Sequence, residues 1–171
     1  MAGVFEGFRP DMRVRSVMEI DLADLRKRGY IGLMLDLDNT LLPWKDLNIP
    51  IESKAWLETS KKLGMKPCII SNTHHPNRLM KIADQLQIPA IGCALKPDKR
   101  GFHRAAEIVG CEIDQTVVVG DQLLTDILGG NRAGAYTILV NPMHNREFLG
   151  TKVSRMIERL IFAVLREPHR V

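Results

Sequence analysis

The sequence predicts an α/β domain, a central parallel sheet of five strands with helices on both faces. Three observations predict it. Short apolar runs alternate with longer amphipathic stretches, the pattern of strand–helix units whose strands are buried on both sides. Glycines stand just past the helical stretches, at Gly29, Gly64, Gly110 and Gly134. Polar residues collect directly after the strands, where ligands bind in sheets of this kind.

Taken in order, Asp21 to Arg28 is a short helix with Asp21 as its N-cap. Residues 31–35 form the first strand, and Glu52 to Leu63 a helix. Pro67 to Ile70 is the second strand. Pro76 to Leu86 is a helix with proline in its first turn. A short third strand lies within Pro89 to Leu95, and Asp98 to Val109 is helical. Thr116 to Val119 is the fourth strand, Leu123 to Ala133 a helix, and Tyr136 to Val140 the fifth strand. A last amphipathic helix is expected over about 148–166. The 171 residues suit one domain over 1–171, whose motif-bearing core spans about 31–140.

Composition narrows the class. With 45% hydrophobic and 26% charged residues the chain reads as a soluble globular protein. No apolar run reaches the length of a membrane span, and the first residues lack the apolar stretch of a signal peptide. Cys68, Cys93 and Cys111 are odd in number and lack a CxxC spacing, so they read as reduced structural thiols in a cytoplasmic protein. The net charge is +4, and residues 151–171, with five Lys/Arg against two Glu, carry +3 of it. Basicity that local argues against nucleic-acid binding, which needs a long basic stripe with interleaved aromatics.

The strand ends carry the chemistry. Asp36-Leu37-Asp38-Asn39-Thr40 follows the first strand, Ser71-Asn72-Thr73 the second, Lys96-Pro97 the third, and Gly120-Asp121 through Asp126 the fourth. Asp36 and Asp38 are two residues apart, so an extended chain would point both into one pocket, where Asp121 can join them. Converging carboxylates need a cation, and oxygen-only ligands favour Mg²⁺. Taken singly, each group has a plainer reading. DLDNT could be a polar turn, Ser71 a turn serine, Lys96 a solvated charge, and Asp126 an acid in the first turn of a helix.

The ordered set is more specific than its parts. DxDxT, a serine after the next strand, Lys-Pro, then GDxxxxD resembles the haloacid-dehalogenase-like (HAD) phosphatase superfamily over about residues 31–140. The longer stretch from Arg9 to Asn141, with its lead-in SVMEIDLADLRKRGY, is similar to the subclass IIIA phosphatases that include phosphatidylglycerophosphatases. The resemblance implies a Rossmann-like fold without a cap domain, since Thr40–Ser71 and Asn72–Lys96 are too short to hold one. It implies Asp36 as nucleophile, giving an aspartyl-phosphate, and Asp38 as general acid and base, its main-chain carbonyl also on the metal. Ser71 and the backbone N–H of Asn72 would bind the phosphoryl oxygens, and Lys96 would offset charge between Asp36 and the phosphoryl group. Asp121 would bind Mg²⁺, with Asp126 on the metal or supporting its shell.

The substrate implied is a phosphomonoester. The resemblance favours phosphatidylglycerophosphate, a soluble sugar phosphate or nucleotide is the alternative, and a non-catalytic binding module stands behind both. Trp44, His74 and His75 fall near the expected site as substrate contacts or as ordinary packing and solvated loop residues. In the last helix Arg155, Arg159 and Arg166 oppose an apolar stripe. That helix either packs on the domain or makes peripheral contact with an anionic membrane. A second subunit could serve as a cap, so an oligomer stays open.

Overall fold

The structure, a computed structural model, describes residues 6–143. The helix expected over 148–166 lies outside them. Six strands form one sheet: β1 (Met12–Val14), β2 (Gly32–Leu35), β3 (Lys66–Ile70), β4 (Ala90–Ile91), β5 (Thr116–Gly120) and β6 (Tyr136–Val140). Their order is β1-β6-β5-β2-β3-β4, and every pair is parallel.

The sequence pattern predicts five strands, and the sixth is β1. Its three residues, partly exposed, show no apolar run. Met12 and Val14 pack partly against the core, and polar clips hold the chain beside them. The Asp11 carboxylate accepts from Thr137 N at 2.8 Å, and Asn131 Nδ2 donates to the carbonyls of Gly7 and Arg9 at 2.8 and 2.9 Å. Three residues are too few for hydrophobic periodicity to register.

Helices cover both faces. α1 (Leu22–Lys27), α2 (Ile51–Lys62) and α3 (Pro76–Leu86) share a buried cluster with Leu33, Leu35, Val117 and Val119. α4 (Lys99–Val109) and α5 (Leu128–Ala133) cover the other face, where Met34, Cys68 and Val118 meet Phe102 and Ala133. The alternation of Leu33, Met34 and Leu35 between the two clusters is the period-2 pleat of a strand buried on both sides. Asp21 caps α1 as expected, its side chain accepting from Asp24 N at 2.9 Å. Asp98 is the cap of α4 rather than its first residue. α3 ends without a glycine: Gln87 itself takes the left-handed conformation, φ 51°.

The stretch 123–133 is also not one regular α-helix. Leu123–Ile127 is a single π-helical turn that runs into α5. Such wide turns occur where a side chain is re-aimed, and here the side chain is that of Asp126.

The topology places the site. From β2 the chain steps outward to β3 and β4, then crosses back to β5 on the other side of β2. Loops leaving β2 and β5 therefore diverge, and a crevice opens at their carboxyl ends. Asp36 and Asp121 are the residues that follow these two strands.

Candidate active site

Asp36 continues the ladder, its N–H donating to Val119 O at 2.9 Å, so the β2–β5 pairing itself fixes its backbone. Its carboxylate is 9% exposed and sits beside Asp121 and Asp126, which are 2% and 1% exposed. One oxygen from each of these three acids lies within 4.8 Å of the other two. Lys96 enters from the loop after β4. Its ammonium donates to Asp36 Oδ1 and Asp126 Oδ1, each at 2.6 Å, and to Ile70 O at 2.9 Å. Those three bonds use all its protons.

Asn72 holds that lysine from behind. Its side-chain oxygen accepts from Lys96 N at 2.8 Å and its amide donates to Lys96 O at 2.9 Å. Sequence reasoning assigned Asn72 only a backbone N–H, so this clip is an addition. Ser71 is buried at the end of β3, its Oγ accepting from Thr73 N at 3.1 Å. Asp126 is aimed by the π turn: its Oδ2 accepts from Gln122 N at 3.1 Å. Gly120 makes room for it, because a Cβ there would stand 2.2 Å from Asp126 Cγ.

Asp38 goes elsewhere. Its carboxylate is gripped by Arg78 of α3, Nη1 to Oδ2 at 3.0 Å and Nη2 to Oδ1 at 2.8 Å. The side chains of Asp36, Asp121 and Asp126 thus converge, while that of Asp38 pairs with an arginine. Its main-chain carbonyl remains the group the resemblance assigns to a metal. Sequence reasoning missed Arg78, and no local signal marks it, since forty residues separate it from its partner.

The flanking residues are placed as follows. Trp44 is half-buried, with Lys45 Nζ 4.4 Å from its ring centre. His74 and His75 are exposed, and His74 Nδ1 lies 3.7 Å from Cys93 Sγ. Between β2 and β3 the only regular helix is α2, and between β3 and β4 it is α3, so neither connection carries a cap.

Electrostatics follow from burial. Loss of hydration pushes the Asp36 carboxyl up to about 7, against the pull of Lys96. Lys96 moves the other way from what burial alone would do: Asp126 and Asp36 outweigh the desolvation and raise it, so it stays an ammonium. Three carboxylates around one ammonium leave excess negative charge. The donor set is oxygen only, the kind of donor that small hard dications take. A divalent cation therefore suits the place that Asp36, Asp121 and Asp126 enclose.

A buried carboxylate thus stands beside a lysine and two further acids at the switch point of a parallel sheet. The chain belongs to the haloacid-dehalogenase-like phosphatases. A family model described as "HAD-hyrolase-like" matches residues 94–145. The chain is 38% identical over 164 residues to "Probable phosphatase YqeG" of Bacillus subtilis, covering 96% of this chain and 95% of that protein. It is 26% identical over 165 residues to the chloroplastic/mitochondrial phosphatidylglycerophosphate phosphatase 1 of Arabidopsis thaliana, covering 92% of this chain but 47% of that longer protein. An uncharacterized protein of Listeria monocytogenes serotype 4b has the same fold, with a TM-score of 0.56 at 20% identity over 76% of this chain and 98% of that one.

Proposed function

We propose that this phosphatase hydrolyses phosphatidylglycerophosphate through an aspartyl-phosphate on Asp36, with Mg²⁺ as its cofactor. The observation that carries the mechanism is the Asp36 carboxylate, 9% exposed at the switch point and bonded by one oxygen to Lys96. Its other oxygen, Oδ2, accepts among the described residues only the long bond from Thr40 Oγ1, at 3.5 Å. Oδ2 is thus the atom suited to attack phosphorus. Asp38, two residues on, would protonate the leaving alcohol and then take a proton from the hydrolytic water. Ser71 and the N–H of Asn72 would hold the phosphoryl oxygens. Lys96, fixed by the Asn72 clip, would offset their charge as it builds.

Asp36, Asp121, Asp126 and the carbonyl of Asp38 would hold Mg²⁺. When bound, that ion neutralises a dianionic monoester that would otherwise repel the carboxylate nucleophile. The lipid substrate is supported by the Arabidopsis relative's name and by connections that carry no cap over the site. An open crevice admits a monoester displayed at a bilayer surface. No described helix is long and apolar enough to cross a membrane.

The test is phosphate release from phosphatidylglycerophosphate in mixed micelles, beside a panel of soluble monoesters, with Mg²⁺ or EDTA. Wild type should release phosphate from the lipid only with Mg²⁺, and Asp36→Asn should release none. Preference for a sugar phosphate or nucleotide would keep the mechanism and overturn the substrate.

A further inference from the structure

We propose that Arg78 is a positioning residue for Asp38, holding its carboxylate so that Oδ2 alone can exchange a proton with the reacting oxygen. This rests on the reading of Asp38 as acid and base given above. The two-pronged grip of Nη1 and Nη2 on the carboxylate fixes both its place and its plane. The same guanidinium also donates to Asp46 O, from Nε at 3.1 Å and from Nη2 at 2.8 Å. One side chain of α3 therefore ties together the helix, the turn after β2 and the loop behind that turn.

The lone pairs then decide which oxygen works. Each carboxylate oxygen has two acceptor positions. Oδ1 uses both, for Arg78 Nη2 and for Lys45 N at 3.0 Å. Oδ2 uses one, for Arg78 Nη1. Among the described residues, Oδ2 alone keeps a free position. In the first half-reaction its O–H bond would break and the proton pass to the leaving alcohol oxygen, as the bond from phosphorus to that oxygen breaks and the bond to Asp36 forms. In the second, water would give a proton to Oδ2 as its oxygen joins phosphorus and the Asp36–phosphorus bond breaks. Arg78 keeps its charge throughout.

A direct grip on substrate phosphate is a weaker use of this arginine. Four of its five N–H groups are already spent on Asp38 and Asp46. The Arg78 side chain is 14% exposed and that of Asp38 24%, so the carboxylate faces outward from a covered partner.

Two esters separate this role from a merely structural one. A p-nitrophenyl leaving group departs without needing a proton, whereas the alkoxide of glycerol 3-phosphate needs one. The readout is kcat/KM, which reports the first half-reaction. Asp38→Asn should lose about 10²–10⁴-fold on the alkyl ester and far less on the aryl ester. Arg78→Ala should lose about tenfold more on the alkyl than on the aryl ester. The double variant should be no worse than Asp38→Asn alone. Arg78→Lys, which keeps the charge without the fork, should stay close to Arg78→Ala, with melting temperatures confirming that each variant folds.

Equal losses on both esters, additive losses in the double variant, or full rescue by lysine would each overturn the role. If wild type hydrolyses neither these esters nor phosphatidylglycerophosphate, the phosphatase mechanism falls and this inference with it. If wild type is active, Asp36→Asn is dead and the losses are equal, only the role of Arg78 falls.

Discussion

Gly120→Ala should dismantle the proposed cation site without replacing any of the acids that form it. A Cβ on residue 120 would lie 2.2 Å from Asp126 Cγ, 2.3 Å from its Oδ2 and 2.5 Å from its Cβ, where ordinary contact begins at 3.4 Å. Asp126 must therefore retreat by about 1.2 Å, since β5 is pinned on both sides by β2 and β6 and cannot move instead. A shift of that size along its 2.6 Å bond to Lys96 stretches that bond to about 3.8 Å, past the range of a hydrogen bond. The bond from Gln122 N to Oδ2 is strained in the same way. Losing one charge-assisted bond costs about 1.5–3 kcal/mol, so two lost bonds together cost about 3 kcal/mol or more. For a chain of this length that is a fall of about 6–12 °C in melting temperature. Calorimetric titration with Mg²⁺ and a thermal melt on the same sample are the assays. Affinity should fall by about 100-fold or more, because a displaced acid no longer meets the other two. Wild-type affinity with an unchanged melting temperature would refute the claim that Gly120 is what admits Asp126.

Three further outcomes are expected. Asp36 holds its proton up to about 7 in the folded, metal-free chain against an ordinary 3.8, so its contribution to stability is full below about pH 4 and is lost as pH rises through about 7. Cation binding must expel that proton, so calorimetry should show Mg²⁺ affinity rising up to about tenfold per pH unit below about 7 and levelling above it. Lys96→Met removes the one ammonium between Asp36 and Asp126 and should cost the metal-free protein about 3–5 kcal/mol in urea unfolding. Mg²⁺ should restore more stability to that variant than it adds to wild type. Burial pushes the Cys68 thiol up to about 12, whereas Cys93 is exposed, so a thiol reagent at pH 8 should label Cys93 first and reach Cys68 only on unfolding. Mass mapping of the labelled peptides checks the order.

Most of the sheet was legible because its strands are long enough, and buried enough, to show as apolar runs. β2 is buried at all four positions and β5 at all five, and both coincide with sequence runs. β1 was not legible, since its three residues are too short a run to stand out, with Met12 and Val14 only partly buried against the core and polar clips holding the chain beside them. The strand-end motifs pointed to Asp36, Lys96, Asp121 and Asp126, and the fold brings these four together. What the motifs could not show is how each is held. The Asn72 clip on Lys96 joins residues 24 apart, and the fork of Arg78 on Asp38 joins residues 40 apart. Pairings across such distances depend on which loops the topology sets side by side. No single stretch of sequence records that.

Two aspartates two residues apart would repel if both were buried in the same place. The fold separates their fates. Extended-chain spacing suggests one shared pocket, but the chain turns directly after Asp38, where Asn39 takes the left-handed conformation at φ 66°. Asp36 stays with the sheet and meets Lys96, inside, with two more acids. Asp38 swings to α3 and meets Arg78, nearer the surface. The two aspartates thus meet different cations, Lys96 from the loop after β4 and Arg78 from α3. In the mechanism proposed above, the nucleophile must keep an oxygen bare toward phosphorus, and the proton-transfer group must reach a different oxygen on the other side of the breaking bond. One pocket for both would leave the second task undone. Two cations on two elements hold the pair apart while the backbone keeps them adjacent.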